Sequence, residues 1–511
     1  MVSNVLSFGT NGLKAFPVYV ESDVSRGIPD FDIIGLGDAA IKESRKRIWS
    51  AFRNQSFDFP MGKVIINLAP ASMRKVGTCL DLPIAVSILT AIGILKPSML
   101  ADTAVIGELS LEGELKGVDG ILPMIELGKR SGVQRFVIPR ENAAEAGLAQ
   151  HIHICSVTSL RSAVSMIAAG NRGVYTGEGI TDAVYEEEKW ENDFSQIVGQ
   201  HECKRALEIT AAGGHNILML GAAGCGKSML ASCLPGILPP MDYKESFENT
   251  AIYSMAGKLE RHMPLMTLRP FRRIHSTTTL KGLTGGGRPV KMGEVTLANH
   301  GVLFFDEITE ADKRVINSLR DPLENRSIDI SVLGVSERLP ADFIFVAAGN
   351  PCKCGKMFEE GRRCNCTRAQ IRQKLGKLSL PILDRVDMHV IVRGLPFTEM
   401  SEKAMEESSD NVRKRVIAAR EIQKCRFQNE YFTLNAHMTR ECLEKYCCLN
   451  KESMELMEEA VVSMGLSMRS YDRILKVSRT IADLSEAENI TCDHVAEAFQ
   501  YRCMDNFRQY V

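Results

Sequence analysis

The segment Gly221-Ala-Ala-Gly224-Cys-Gly226-Lys227-Ser228 carries the strongest chemical signal in the chain, because it fits G-x-x-x-x-G-K-[ST]. The apolar run Asn216 to Leu220 precedes it, and a helical stretch opens at Met229. Glycines at these positions let backbone N–H groups curl around phosphate oxygens, and a helix N-terminus adds partial positive charge. Lys227 is expected to reach the β- and γ-phosphates of ATP, and Ser228 to ligate Mg²⁺. A second signal begins with Gly301-Val-Leu-Phe-Phe305 and ends in Asp306-Glu307, with Asp306 standing 78 residues after Ser228. It predicts a buried strand with two carboxylates at its end. Asp306 is expected to hold Mg²⁺, directly or through water, and Glu307 to orient and activate the attacking water. Each signal alone also describes a glycine-rich turn or a surface acidic pair. Their order and spacing together point to ATP hydrolysis.

A third cluster is Cys352-x-Cys354 with Cys364-x-Cys366, four thiols within 15 residues. Soft ligands so close together predict tetrahedral Zn²⁺, and a full protein ligand set would make it structural. The spacing is tighter than the usual C-x₂-C knuckle; the alternative is a reduced, cysteine-rich loop. The other chemistry is electrostatic. The 511-residue chain has a net charge of -1, so any nucleic-acid surface must be local. Between Gly257 and Glu294 stand Lys258, Arg261, Arg269, Arg272, Arg273, Lys281, Arg288 and Lys291, against Glu260 and Glu294. A second basic stretch runs from Lys353 to Lys374. These segments are the expected DNA contacts; the bland reading is a solvated basic face, or arginines at subunit contacts.

The elements that must position these groups follow from pattern. The first 165 residues alternate β-rich runs such as Val64 to Leu68 with helical stretches such as Pro83 to Ile94. Residues 170–192 hold four glycines and the acidic run Glu186-Glu187-Glu188, which predicts a linker. From Phe194 to Val392 short apolar runs (Ile217 to Leu220, Val302 to Phe305, Phe343 to Ala348, Met388 to Val392) alternate with loop and helix signals. This is the pattern of an α/β fold with a parallel sheet buried on both faces. After Pro396 the chain turns helical, with Ile474, Val477, Ile481 and Leu484 forming one apolar stripe. The apolar run Leu82 to Leu95 is broken by Pro83 and too short to span a bilayer, so no membrane partner is expected. The opening Met1-Val2-Ser3-Asn4 lacks a basic segment before an apolar one. With no secretion signal, the 15 cysteines are expected to be reduced thiols in the cytoplasm.

Gly301 to Glu307, Gly349-Asn350-Pro351-Cys352-Lys-Cys354-Gly355 and Leu380-Pro-Ile-Leu-Asp384-Arg385-Val-Asp387 together resemble the magnesium-chelatase-like AAA+ family, and in particular its competence-protein branch. Gly35-Leu-Gly-Asp38, Asn67-Leu-Ala-Pro70, Asp81-Leu-Pro-Ile-Ala85 and Ser467-Met-Arg469-Ser-Tyr-Asp-Arg473 extend the resemblance over nearly the whole chain. It implies a Lon-protease-like α+β domain at 1–169, the linker at 170–192, an AAA+ P-loop core at 193–395 with the four-cysteine insert at 352–366, and a helical lid at 396–511. It also implies that Asn350 is sensor 1, Arg385 an arginine finger offered to the neighbouring subunit, and Arg469 the sensor 2 arginine, with Arg473 as alternative. One departure is Ala222-Ala223, where the family usually has prolines. In the first domain Cys79 falls at the position of the protease serine and Lys116 at that of its lysine; a non-proteolytic domain is expected. The resemblance implies a homo-hexameric motor that moves on single-stranded or branched DNA in recombination or natural transformation. The alternative is a chelatase-like motor remodelling a protein or metal-insertion partner.

Overall fold

The computed structural model describes residues 2–12, 14–170, 175–176, 190–260, 265–287, 290–332, 335–358, 364–394 and 406–504. Two compact units emerge. The first comprises Met1–Glu186, Tyr243–Thr267 and Gly287–Lys291; the second comprises Glu187–Asp242, Leu268–Gly286 and Met292–Val511.

The first unit is built on an eight-stranded mixed sheet. Its centre is the antiparallel hairpin Val2–Asn11 with Lys14–Ser25. Strand Asp30–Ile34 forms one edge and Tyr175–Thr176 the other. The apolar run at Leu82 becomes helix Asp81–Ala91, buried along its whole length. A helix apolar on every face has to lie in a core, and this one packs against the hairpin. Helix Tyr243–Met255 also belongs here, although its residues fall between the P-loop and the Asp306 strand in sequence. Ser254 Oγ donates to Glu145 at 2.5 Å and accepts from the Gly120 amide at 3.0 Å. Most of the expected linker lies outside the described residues. Its residues Tyr175–Thr176 pair antiparallel with His153 and Ile154.

The N-terminal motif residues are held by polar contacts. Lys75, wholly buried, donates from Nζ to the Leu68 carbonyl at 2.7 Å and to the Pro70 carbonyl. Asp38 caps helix Ala39–Asn54 through the Ile41 amide (3.0 Å) and also accepts from the Gly77 amide (3.1 Å). Asp81 pairs with Arg47 at 2.7 Å. These contacts hold loops and helix ends together. Cys79 is likewise a core residue, its Sγ 3.8 Å from the Phe8 carbonyl. Burial pushes its thiol up to about 12, while Lys116 is exposed on strand Leu115–Lys116. Cys79 is thus buried where Lys116 is exposed, and the thiol lies in the range where it stays protonated, which lends no support to the Cys79–Lys116 pairing implied by the protease resemblance.

The second unit has a five-stranded, all-parallel sheet in the order Phe271–Ile274, Val302–Phe305, Ile344–Gly349, Ile217–Gly221, Met388–Val392. The three inner strands are buried at every residue, matching their unbroken apolar runs. The edge strand Phe271–Ile274 escapes the apolar pattern because its middle is Arg272-Arg273. Both arginines are paired, Arg272 with Glu294 and Arg273 with Asp306, each at 2.6 Å. Beyond the sheet lie the helices Ser409–Arg426, Arg440–Tyr446, Lys451–Met464, Met468–Leu484 and Cys492–Gln500. Ile474, Val477 and Ile481 are buried as their spacing predicts, and Leu484 is half-buried. No helix among the described residues is long and apolar enough to cross a membrane.

Candidate nucleotide site

The P-loop leaves the sheet at Gly221 and ends in helix Lys227–Ile237. A Cβ on Gly221 would lie 2.2 Å from the Val392 carbonyl, so only glycine lets the loop depart beside that strand. Gly224 and Gly226 have φ of 79° and 91°, a region closed to most side chains. These turns let the loop curl over the helix N-terminus, where its amides can meet phosphate oxygens. Lys227 folds back over the loop, its Nζ 2.9 Å from the Gly221 carbonyl and 3.2 Å from Asn350 Oδ1. Ser228 Oγ lies 3.1 Å from Asp306 Oδ2. Glu307 follows at φ 52°, a conformation that costs energy for a non-glycine residue, and is exposed. Gly224, Gly226, Lys227, Ser228, Asp306, Glu307 and Asn350 line one cavity of about 340 Å³.

Asp306 has a second partner that sequence patterns did not show. Arg273, one strand over, reaches it at 2.6 Å while lying over the Phe304 ring. Arg269 is also committed, donating to the Pro239 and His300 carbonyls at 2.7 and 2.6 Å. With Arg272 held by Glu294, three of the eight cations in the 257–294 segment serve the second unit internally. They are removed from the expected DNA surface. Lys281 and Lys291 are exposed, whereas Arg261 and Arg288 lie outside the described residues. In the second basic stretch, Lys374 pairs with Glu310, Arg362 and Arg363 lie outside the described residues, and Lys353, Lys356, Arg368 and Arg372 are exposed.

Arg385 and Arg469 do not line the Lys227 cavity. They share a recess of about 150 Å³ with Glu324, Asp472, Arg473 and Lys476. Arg385 donates to the Pro381 carbonyl at 2.7 Å and pairs with Glu324. Arg473 is bonded to buried Asp387 at 2.5 Å. Arg469, one turn earlier, is exposed, which favours it over Arg473 as the arginine able to meet a ligand. Burial, with repulsion from Arg473, lowers Lys476 to about 8. Asp384 and Arg440 line the recess as well, so cations and carboxylates share it.

The four cysteines converge. The sulfurs of Cys352, Cys354, Cys364 and Cys366 all lie within 4.8 Å of one another, and three of the separations are 3.4 to 3.6 Å. Zn–S bonds of about 2.3 Å in a tetrahedron need sulfurs about 3.8 Å apart, so the donor set fits Zn²⁺. Cys352 follows Asn350 by two residues, and a Cβ on Gly355 would sit 3.4 Å from Ala222 Cα. The knuckle therefore packs directly on the P-loop.

A parallel sheet with a P-loop at its centre, paired carboxylates on the next strand but one, and a terminal helical domain define the AAA+ class of P-loop ATPases. The sequence profile described as "Magnesium chelatase, subunit ChlI" matches residues 193–400, and profiles for the ChlI subunit and its C-terminal part match 20–142 and 406–502. The chain is 38% identical over 504 residues to the uncharacterized protein YifB of Salmonella typhimurium, covering 97% of this chain and 96% of that one. It is 38% identical to the competence protein ComM of Haemophilus influenzae over 98% of this chain and 97% of the relative. A magnesium-chelatase subunit ChlI of Olisthodiscus luteus is 28% identical over 42% of this chain and 60% of its own length. The chain belongs to the magnesium-chelatase-like AAA+ family.

Proposed function

We propose that the protein is a MgATP-hydrolysing ring motor acting on DNA, with a homo-hexamer as its working form in the cytoplasm. The observation that carries the ATPase reading is the single cavity shared by Lys227, Ser228, Asp306, Glu307 and Asn350. The loop amides and Lys227 bind and orient the phosphates. Ser228 and Asp306 would hold Mg²⁺, which supplies neutralising charge on the β- and γ-phosphates. Glu307 takes the proton of the attacking water, and Asn350 positions that water. Arg385 stands in a separate recess from the Lys227 cavity, which suits an arginine finger offered to a neighbouring subunit's nucleotide around a ring with heterologous contacts, and Arg469 is the sensor 2 arginine of the lid. Structural Zn²⁺ on the four cysteines would stiffen the P-loop side of the site.

The DNA reading rests on full-length similarity to a protein named for competence and on the exposed Lys281 and Lys291. A strand-separating or branch-migrating translocase is its finer form. The second reading, a motor that remodels a protein or metal-insertion partner, draws on the chelatase profile matches. ATP turnover measured alone and with single-stranded, duplex and four-way-junction DNA separates them. Stimulation by DNA, lost in Lys227→Ala and Glu307→Gln, supports the translocase. ATPase activity indifferent to every DNA form, with no DNA binding at low salt, rejects it and favours the second reading. Glu307→Gln turning ATP over at the parent rate would overturn the assignment of the base.

A further inference from the structure

Helix Ala39–Asn54 of the first unit carries five basic residues and one acidic residue in 16 positions. It buries Ile41, Ser44, Ile48, Ala51 and Phe52. Lys42, Lys46, Trp49 and Arg53, spaced four, three and four apart, fall in one stripe about 60° wide on its flank. Two of the other cations are engaged: Arg47 by Asp81 at 2.7 Å, and Arg45 by the Phe31 carbonyl at 2.9 Å. Lys46 and Arg53 are exposed. The Arg53 guanidinium lies over the Trp49 ring, 5.3 Å from its centroid.

Trp49 is 49% exposed, an unusual state for so large an apolar surface unless something covers it. It borders a groove of about 910 Å³ that Lys46, Arg53, half-buried Phe57 and 92% exposed Met61 also line. Asp30 and Asp58 line it too, and the Asp30 carboxylate accepts from the Phe31 amide at 2.9 Å. An aromatic face flanked by cations within one helical turn on either side suits a ligand with a flat π-surface between anionic groups. A polynucleotide strand has that chemistry at every step: a base to stack, and a phosphate on each side of it.

We propose that this groove binds single-stranded nucleic acid, with one base stacked on Trp49 and flanking phosphates on Lys46 and Arg53. The proposal rests on the DNA-motor reading and adds to it a contact outside the ATPase core. It gives the first domain a task beyond the packing of its motif residues.

The test uses the full chain carrying Trp190→Phe, which leaves Trp49 as the sole tryptophan of the original two. Oligo(dT) is titrated while Trp49 fluorescence and the anisotropy of a labelled strand are followed. Quenching that tracks binding is expected. In the parent background, Trp49→Ala should weaken binding roughly 5- to 150-fold, the usual range for losing one stacked base. Lys46→Ala with Arg53→Ala should lower the slope of log affinity against log salt by about 1.4, or about 0.7 for each phosphate. All three side chains are exposed, so an unchanged melting temperature and unchanged DNA-free ATPase are expected controls. If the parent binds DNA but these variants keep its affinity and salt slope, the groove is not a contact and the motor reading stands. If the parent binds no DNA, both fall together. Quenching by an acidic peptide such as polyglutamate, with no response to oligo(dT), overturns the proposal and assigns the groove to a protein partner.

Discussion

Asp387→Asn should destabilise the ATPase unit well beyond what a one-atom change suggests. Asp387 is 1% exposed. One oxygen accepts from Arg473 at 2.5 Å and the other from the Asn216 amide at 2.8 Å, with His215 Nδ1 3.6 Å away. The Asn216 side chain in turn accepts from the Phe345 amide at 2.9 Å and donates to the Arg385 carbonyl at 3.2 Å. One carboxylate thus links the foot of the P-loop strand, the strand leading to Asn350, the Arg385 loop and the helix bearing Arg469. Burial works against its charge, but Arg473, His215 and the Asn216 amide outweigh it and hold the carboxyl far below the usual range. Breaking a buried pair costs about 3–5 kcal/mol. The Arg473 side chain is 21% exposed, so water recovers part of that. Asn can still accept from Asn216, which brings the expectation to roughly 2–4 kcal/mol. At about 2–4 °C per kcal/mol, the melting temperature should fall by roughly 4–16 °C. Because the folded carboxyl titrates below its unfolded value of about 3.9, the contribution is fully present above about pH 4. The gap between parent and variant should therefore be flat from about pH 5 to 8 and narrow as pH falls below about 4. Calorimetry across this range, with Arg473→Gln completing a double-mutant cycle, measures it. A shift under about 1 °C, or strict additivity with Arg473→Gln, would refute the reasoning.

Other outcomes follow from the same geometry. Mixing Arg385→Ala chains with Lys227→Ala chains should restore part of the ATPase activity, since some interfaces then pair an intact finger with an intact P-loop. No recovery in rings shown to be mixed counts against Arg385. Elemental analysis of protein purified without chelator should find one Zn²⁺ per chain, and a ratio well below one with reduced thiols rejects the site. Chelation should also weaken binding of a fluorescent nucleotide, because Gly355 rests on Ala222; unchanged affinity after zinc loss would separate the two. Glu145 is pushed up to about 7 by burial, so its contribution to the first unit is fully present below about pH 4.3 and lost as pH rises through about 7. Glu145→Gln should raise stability over the parent by roughly 3–4 kcal/mol at pH 8 and by little near pH 4.5, read by denaturant unfolding. A pH-independent difference would show that Glu145 is ionised throughout.

The phosphate-binding loop was legible because its chemistry is local. Eight consecutive residues supply the turns, the amides, Lys227 and Ser228, and no distant partner is needed to make them a P-loop. The strands Ile217–Gly221, Val302–Phe305 and Ile344–Gly349 were legible for a related reason: a strand buried on both faces is apolar at every position. The four cysteines stand within 15 residues, so short chain segments suffice to bring their sulfurs together. Charge was far less readable. Arg272 and Arg273 looked like part of a DNA-facing stretch, yet each closes a pair inside the ATPase unit, and their strand was invisible because its two central residues are charged. Asp387 and Arg473 sit 86 residues apart, and nothing near either one names the other. Helix Tyr243–Met255 interrupts the ATPase core in sequence but packs on the first unit through Ser254 and Glu145. Backbone turns and apolar periods are properties of neighbouring residues, and the sequence alone therefore determines them. A charged side chain has no partner until distant segments are packed together, so only the tertiary structure decides whether an arginine serves solvent, a ligand or a buried carboxylate.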